Sequence, residues 1–124
     1  MSIKFKAYIK ELNEILDVNS IDLKNSTVEV ETFSINKENK VYSTSEIVIL
    51  QYTGYDDIDG NEIYIGDILK IESKSIEVNK DFYAVAVDFN KLEEIGEPKR
   101  ELVINTFSVY NPYSIKKIGN IYKS

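Results

Sequence analysis

Nowhere in this chain does an apolar period of three to four residues persist long enough for a helix of ordinary length. The recurring unit is a short alternating run closed by polar turn residues. At the start, Ile3, Phe5 and Ala7 alternate with Lys4, Lys6 and Tyr8, the period of two that a half-buried strand requires. Lys10-Glu11-Leu12-Asn13 reads as a turn, and extended runs resume at 15–18 and 21–23. Residues 28–33 form a hairpin with 21–23 across Lys24-Asn25-Ser26-Thr27, where Asn25 is expected to take the positive φ. Ser43-Thr44-Ser45-Glu46 has the spacing of a capping box, but the β-branched Ile47-Val48-Ile49 behind it favours a strand, so any helical turn there is brief.

Further on, 68–72 reads as a strand with 76–78 as its hairpin partner. The most continuous apolar run, 82–89, predicts a central strand covered on both faces. Residues 91–100, KLEEIGEPKR, read as a long loop. Long loops are where binding residues tend to sit, although a solvated excursion is the plainer reading. A strand at 102–109, a turn at Asn111-Pro112-Tyr113-Ser114 and a last strand at 115–122 complete the chain. Roughly eight to ten short strands separated by turn signals predict an all-β barrel or sandwich.

The chain has 124 residues, 43% of them hydrophobic. That suits one compact domain or two small β modules sharing a core, with no need of a metal or disulfide. It contains neither cysteine nor histidine. Thiolate chemistry is therefore absent, along with the commonest general base and the commonest zinc ligand. The longest apolar runs, 47–50 and 83–87, fall far short of the ~20 residues of a membrane helix. MSIKFKAYIK at the start has no apolar core or cleavage site. The expectation is a protein with no membrane attachment, acting in the cytoplasm. The formal charge is −6, and Lys99-Arg100 and Lys116-Lys117 are the adjacent basic pairs. An acidic chain with scattered bases gains little from counterion release, which disfavours nucleic acid as a partner.

The most informative stretch is LQYTGYDDIDGNEIYIGDIL, residues 50–69. Placing Gly60 at the sixth position of a calcium loop puts Tyr55 first and Gly66 twelfth, and neither supplies the required carboxylate. No metal, cofactor or catalytic residue is assigned. A turn reading fits better. Asp59-Gly60 suits a two-residue hairpin turn with positive φ at both positions, and Gly66-Asp67 allows a second sharp turn in which Asp67 bonds nearby backbone N–H groups. Gly54 and Gly119 join these as turn positions. Asp56, Asp57, Asp59, Glu62 and Asp67 are close in sequence, but their spacing does not define an acid pair facing a cleft. They read as groups that solvate turns and blunt sheet edges. Tyr52, Tyr55 and Tyr64 cluster here among nine tyrosines. Tyrosine is a good strand former, and where exposed it suits interfaces. These three are the candidate binding residues, together with Asp67.

Leu50-Gln51-Tyr52-Thr53-Gly54, Asp59-Gly60-Asn61-Glu62-Ile63-Tyr64 and Gly66-Asp67-Ile68-Leu69 resemble, in order, the signature of the YopX family, close to QYTGLKDKNGKEIYEGDIV. Ile3-Lys4-Phe5-Lys6-Ala7-Tyr8 resembles its opening IKFRAW, and Ile118-Gly119-Asn120-Ile121-Tyr122 its closing VIGNIYEN. The chain departs from the pattern at Lys6, Tyr8, Tyr55, Asp56 and Ile58. The resemblance implies a small protein encoded by phages or prophages of Gram-positive bacteria, of uncharacterised function. It also implies a β-rich fold with a part like an SH3 barrel. The expected organisation is an N-terminal β-sheet portion at 1–50 and an SH3-like barrel portion at 51–124, within one structural unit if they share a core. The expected role is non-enzymatic. The partner would be an unknown host or phage protein, with homo-oligomer formation through an exposed strand edge as part of the same behaviour. A nucleic-acid accessory factor is the alternative.

Overall fold

The computed structural model describes residues 4–31, 39–73, 81–96, 100–103 and 113–123. Among these it is all-β, with antiparallel pairing throughout. The strands are β1 (Phe5–Ile9), β2 (Glu14–Asp22), β3 (Thr27–Val30), β4 (Lys40–Ser43), β5 (Ile47–Asp56) and β6 (Glu62–Tyr64). They continue as β7 (Asp67–Ser73), β8 (Phe82–Ala86), β9 (Lys91–Glu94), β10 (Glu101–Val103) and β11 (Tyr113–Asn120). One sheet runs β4-β3-β2-β1-β5-β6 and the other β10-β9-β8-β7-β11. No helix among the described residues is long and apolar enough to cross a membrane.

The chain divides into two compact units, Ser2–Gln51 with Tyr122–Ser124, and Tyr52–Ile121. Strand β5 belongs to both. It pairs with β1 from Ile47 to Gln51 and with β6 from Tyr52 onward.

In the first unit, alternation along the strands turns Ala7, Ile9, Leu16, Val28, Val30, Tyr42 and Ile47 into a common core. The turn at Lys10–Asn13 lies where the polar residues placed it, with Asn13 at φ +50. At the next hairpin the positive φ falls on Ser26, at +53, rather than on Asn25. The reason is local. The Asp22 carboxylate accepts the Asn25 N–H at 3.1 Å and its side-chain amide at 2.7 Å, which leaves the reversal to the following residue. Ser43–Glu46 does form a capping box, around a single 3-10 turn at Thr44–Glu46. The Ser43 N–H donates to Glu46 at 3.0 Å. The β-branched run behind it then continues as β5.

In the second unit, Ile63, Leu69, Ile71, Ala84, Ala86, Leu92 and Ile115 make the core, with Tyr55, Phe82 and Leu102 packed against it. Two expectations are corrected here. The run at 82–89 is central, but it ends as a strand at Ala86, and Tyr83, Val87 and Phe89 are exposed. Only one face of β8 is covered. KLEEIGEPKR is not a loop throughout, because Lys91–Glu94 forms β9 between β8 and β10. Its single apolar residue inside a charged run, Leu92, is fully buried. One buried side chain in four is too weak a period to read from sequence. The expected partner strand at 76–78, residues 97–99 of the loop, 104–109 of the following strand and Asn111-Pro112 of its turn lie outside the described residues. So do 36–38 of the earlier polar loop.

Candidate functional site

The signature is a hairpin followed at once by a second turn, and each of its sharp bends has a side chain that secures it. The first bend is a bulge in β5. The register with β6 shifts between Tyr52 and Asp56, and Gly54 stands at φ +89 inside it. A bulge breaks the hydrogen-bond ladder. Thr53, only 3% exposed, repairs it. Its hydroxyl donates to the Ile63 carbonyl at 2.7 Å and accepts the Tyr55 N–H at 3.2 Å. Thr53→Val keeps the shape but leaves the buried Ile63 carbonyl and the part-buried Tyr55 N–H without this partner. We expect it to cost about 2 kcal/mol, read as a lower urea midpoint with an unchanged m-value. An unchanged midpoint would remove the hydroxyl from this role.

The hairpin tip differs from the expected two-residue turn. Asp59 does not adopt positive φ, whereas Gly60 does, at +83. The Gly60 N–H bonds the Asp57 carbonyl at 3.0 Å, and the Asp57 N–H bonds the Asn61 carbonyl at 2.8 Å. This is a turn over Asp57–Gly60 that ends in a left-handed glycine, the longer hairpin connection. Asp57 selects it. Its buried carboxylate accepts the N–H groups of Asp59 at 2.9 Å and Asn61 at 2.8 Å. From across the unit it also accepts the Lys117 N–H at 3.0 Å. Burial raises the Asp57 pKa, but the combined backbone donors outweigh it and hold the carboxyl below the ordinary value. Beside it, the Ile58 N–H donates to the Ile115 carbonyl at 2.9 Å. The tip therefore caps the outer edge of β11, which would otherwise present unpaired backbone.

The second turn, Tyr64 to Asp67, has Gly66 at φ +95. The Gly66 N–H donates to the Ala86 carbonyl at 2.7 Å, and its carbonyl accepts from Ile121 at 2.9 Å. Asp67, 1% exposed, is neutralised from three sides. It accepts the Tyr64 N–H at 2.7 Å and the Asn120 amide at 3.0 Å, and pairs with the Lys117 ammonium at 3.1 Å. Lys117 also lies 5.7 Å from the Tyr64 ring centroid. Gly119 follows a register shift in β11, opposite Ile68.

The three tyrosines come together only in part. The Tyr52 and Tyr64 rings pack at 5.5 Å. The Tyr52 hydroxyl donates to Asp56 at 2.5 Å. That bond, with burial and the carboxylate charge behind it, pushes its pKa up to about 12. Tyr64 is buried and donates to Glu62 at 3.2 Å. Tyr55 lies against the core. The acids likewise divide. Asp57 and Asp67 are internal anchors rather than solvated turn groups. Thr53 and Lys117 carry part of the arrangement without having been singled out in the sequence as site residues, and Asp57 was weighed there only as one of five turn acids. The available signal was their position within QYTG and the acidic turn.

A family model described as YopX protein matches residues 4–124. The crystal structure of protein EF1440 from Enterococcus faecalis is similar over 99% of this chain and 95% of that one, with a TM-score of 0.58 and 20% identity. At that identity the likeness concerns the fold. No curated protein matches.

Proposed function

Because the chain belongs to the YopX family, we propose that it is a non-enzymatic β module that works by binding another protein or another copy of itself. In this reading it is encoded by a phage or prophage and acts in the bacterial cytoplasm, and Tyr52–Ile121 is an SH3-like barrel. One observation carries the proposal. All four oxygens of the buried carboxylates Asp57 and Asp67 are engaged by donors of the chain itself. A general acid or base must reach the group it protonates or deprotonates, and the engagement of these two within the chain supports a structural role for them. The side chains exposed on β8 and the turn after it include the apolar or aromatic Tyr83, Val87 and Phe89, beside Asp88. Such side chains support contact with a protein surface.

The test is a nuclease-treated pull-down of the tagged protein from a Gram-positive host lysate, run beside a sedimentation measurement of the pure chain. The expected result is a protein recovered at near-stoichiometric yield, self-association, or both. A monomer that captures nothing, yet binds DNA or RNA with steep salt dependence in an anisotropy titration, overturns the proposal in favour of a nucleic-acid factor.

A further inference from the structure

Strand β8 is the middle strand of the five-stranded sheet, and its alternation separates two faces. Ala84 and Ala86 are buried and Phe82 packs on the core. Tyr83, Val85 and Val87 point the other way, with Tyr83 44% and Val87 42% exposed. On this outer face Ile68 of β7 lies opposite Val85, and Lys70 opposite Tyr83. Lys116 of β11 lies opposite Lys70. On the other flank Glu93 of β9 lies opposite Val85, and Glu101 of β10 opposite Glu93. An apolar strip thus follows the central strand, with Lys70 and Lys116 on one side and Glu93 and Glu101 on the other. Lys70 is already paired with Glu72 at 3.4 Å and Asp81 at 3.8 Å, and Glu101 with Lys91 at 3.3 Å. Of these four flanking residues, Glu93 and Lys116 have no ion-pair partner among the described residues.

With those local ion pairs formed, the face keeps an unpaired acid on one flank, an unpaired base on the other and an apolar strip between, and so is complementary to itself. A two-fold axis along β8 lays β9 and β10 of one copy over β7 and β11 of the other. Tyr83, Val85 and Val87 meet their own counterparts along the axis. Glu93 of each copy comes over β7 of the other at the level of Ile68, and reaches Lys116 on the neighbouring strand along a diagonal. Sheets packed face to face stand about 10 Å apart, a gap that a lysine and a glutamate side chain span together. The isologous arrangement forms both ion pairs at once.

We propose that the outer face of β7–β11 is a homodimer interface, in which a second copy of this chain packs sheet to sheet through Tyr83, Val85 and Val87, with reciprocal Glu93–Lys116 pairs. The inference rests on the binding-module reading and names its surface and partner.

Sedimentation equilibrium on the full chain tests it, with Lys116→Glu, Glu93→Lys and the double variant beside the wild type. Both positions are exposed, so the far-UV spectra should stay the same. The expected result is a wild-type dimer and a dissociation constant raised about ten-fold or more by either single reversal, because each sets like charges together twice per dimer. The double variant, which restores opposite charges, should return to within about three-fold of the wild type. A wild type that stays monomeric, singles that leave the dimer unchanged, or a double variant that recovers nothing would each overturn the interface. A monomeric wild type that still captures a host protein sinks this surface assignment alone and leaves the binding-module reading standing.

Discussion

Replacing Asp67 by alanine should destabilise the protein by about 3 kcal/mol, the low end of what removing one member of a buried ion pair costs. The low end applies because Lys117, its cationic partner, keeps 28% of its side chain exposed and can recover some hydration. The Tyr64 N–H and the Asn120 amide have no such recourse, since both residues are buried. Each loses its acceptor, and an unsatisfied buried donor costs more than the bond was worth. For a chain of this length the change corresponds to a melting temperature lower by about 10 °C, measured by far-UV circular dichroism. Asp67→Asn preserves shape and one acceptor oxygen and should lose about half as much. A drop of only a degree or two for the alanine variant would mean that Gly66 and its two backbone bonds hold the turn unaided.

Asp57 gives the second large effect, and its signature is a pH dependence. Asp57→Ala removes the acceptor of three backbone N–H groups and should cost about 2–3 kcal/mol at neutral pH. The folded-state pKa is depressed, so the unfolded chain binds the proton more readily. The stabilisation is therefore fully present above the unfolded value of about 4, and is lost as pH falls through it toward the folded value. Urea midpoints from pH 7 to pH 3 should show the wild type's advantage over Asp57→Asn constant down to about pH 5 and shrinking below pH 4. An advantage that is the same at pH 3 and pH 7 would show that packing of the turn, and not the charge on Asp57, provides the stability. The alanine variant also uncaps β11 by removing the acceptor for Lys117 N–H, which leaves an edge open to pairing with other chains.

Much of the architecture was legible because it depends on local periods. Alternation at Phe5 and Ala7, and the β-branched run at Ile47–Ile49, needed no knowledge of distant residues to be read as strands. Gly54, Gly60 and Gly66 mark positive φ for the same reason, since the need for glycine is a property of one residue's backbone. Where local competition was close, the reading slipped by one position. The left-handed residue is Ser26 because Asp22 holds Asn25, and the hairpin tip is longer because Asp57 gathers two N–H groups within it. Both corrections turn on a carboxylate choosing among nearby donors.

The site was less legible, because its meaning lies in contacts across long separations. Asp57 meets Lys117 across 60 residues and Asp67 meets Asn120 across 53. From sequence alone, acids in a turn-rich stretch look like solvated surface, the usual place for a charge. Strand β9 was hidden in the same way, since Leu92 acquires a face only when β8 and β10 supply neighbours on both sides.

The sequence by itself determined that this chain is all-β, where most of its strands and tight turns fall, and which family it belongs to. Those properties follow from alternation, glycine placement and the ordered motif. Only the tertiary structure decided that Asp57, Asp67 and Thr53 face inward as anchors, that β8 is central yet open on one face, and that Glu93 and Lys116 flank that open face on opposite sides. Burial and charge pairing are properties of which strands become neighbours. Strand order in a sheet is settled by long-range packing, which no local period encodes.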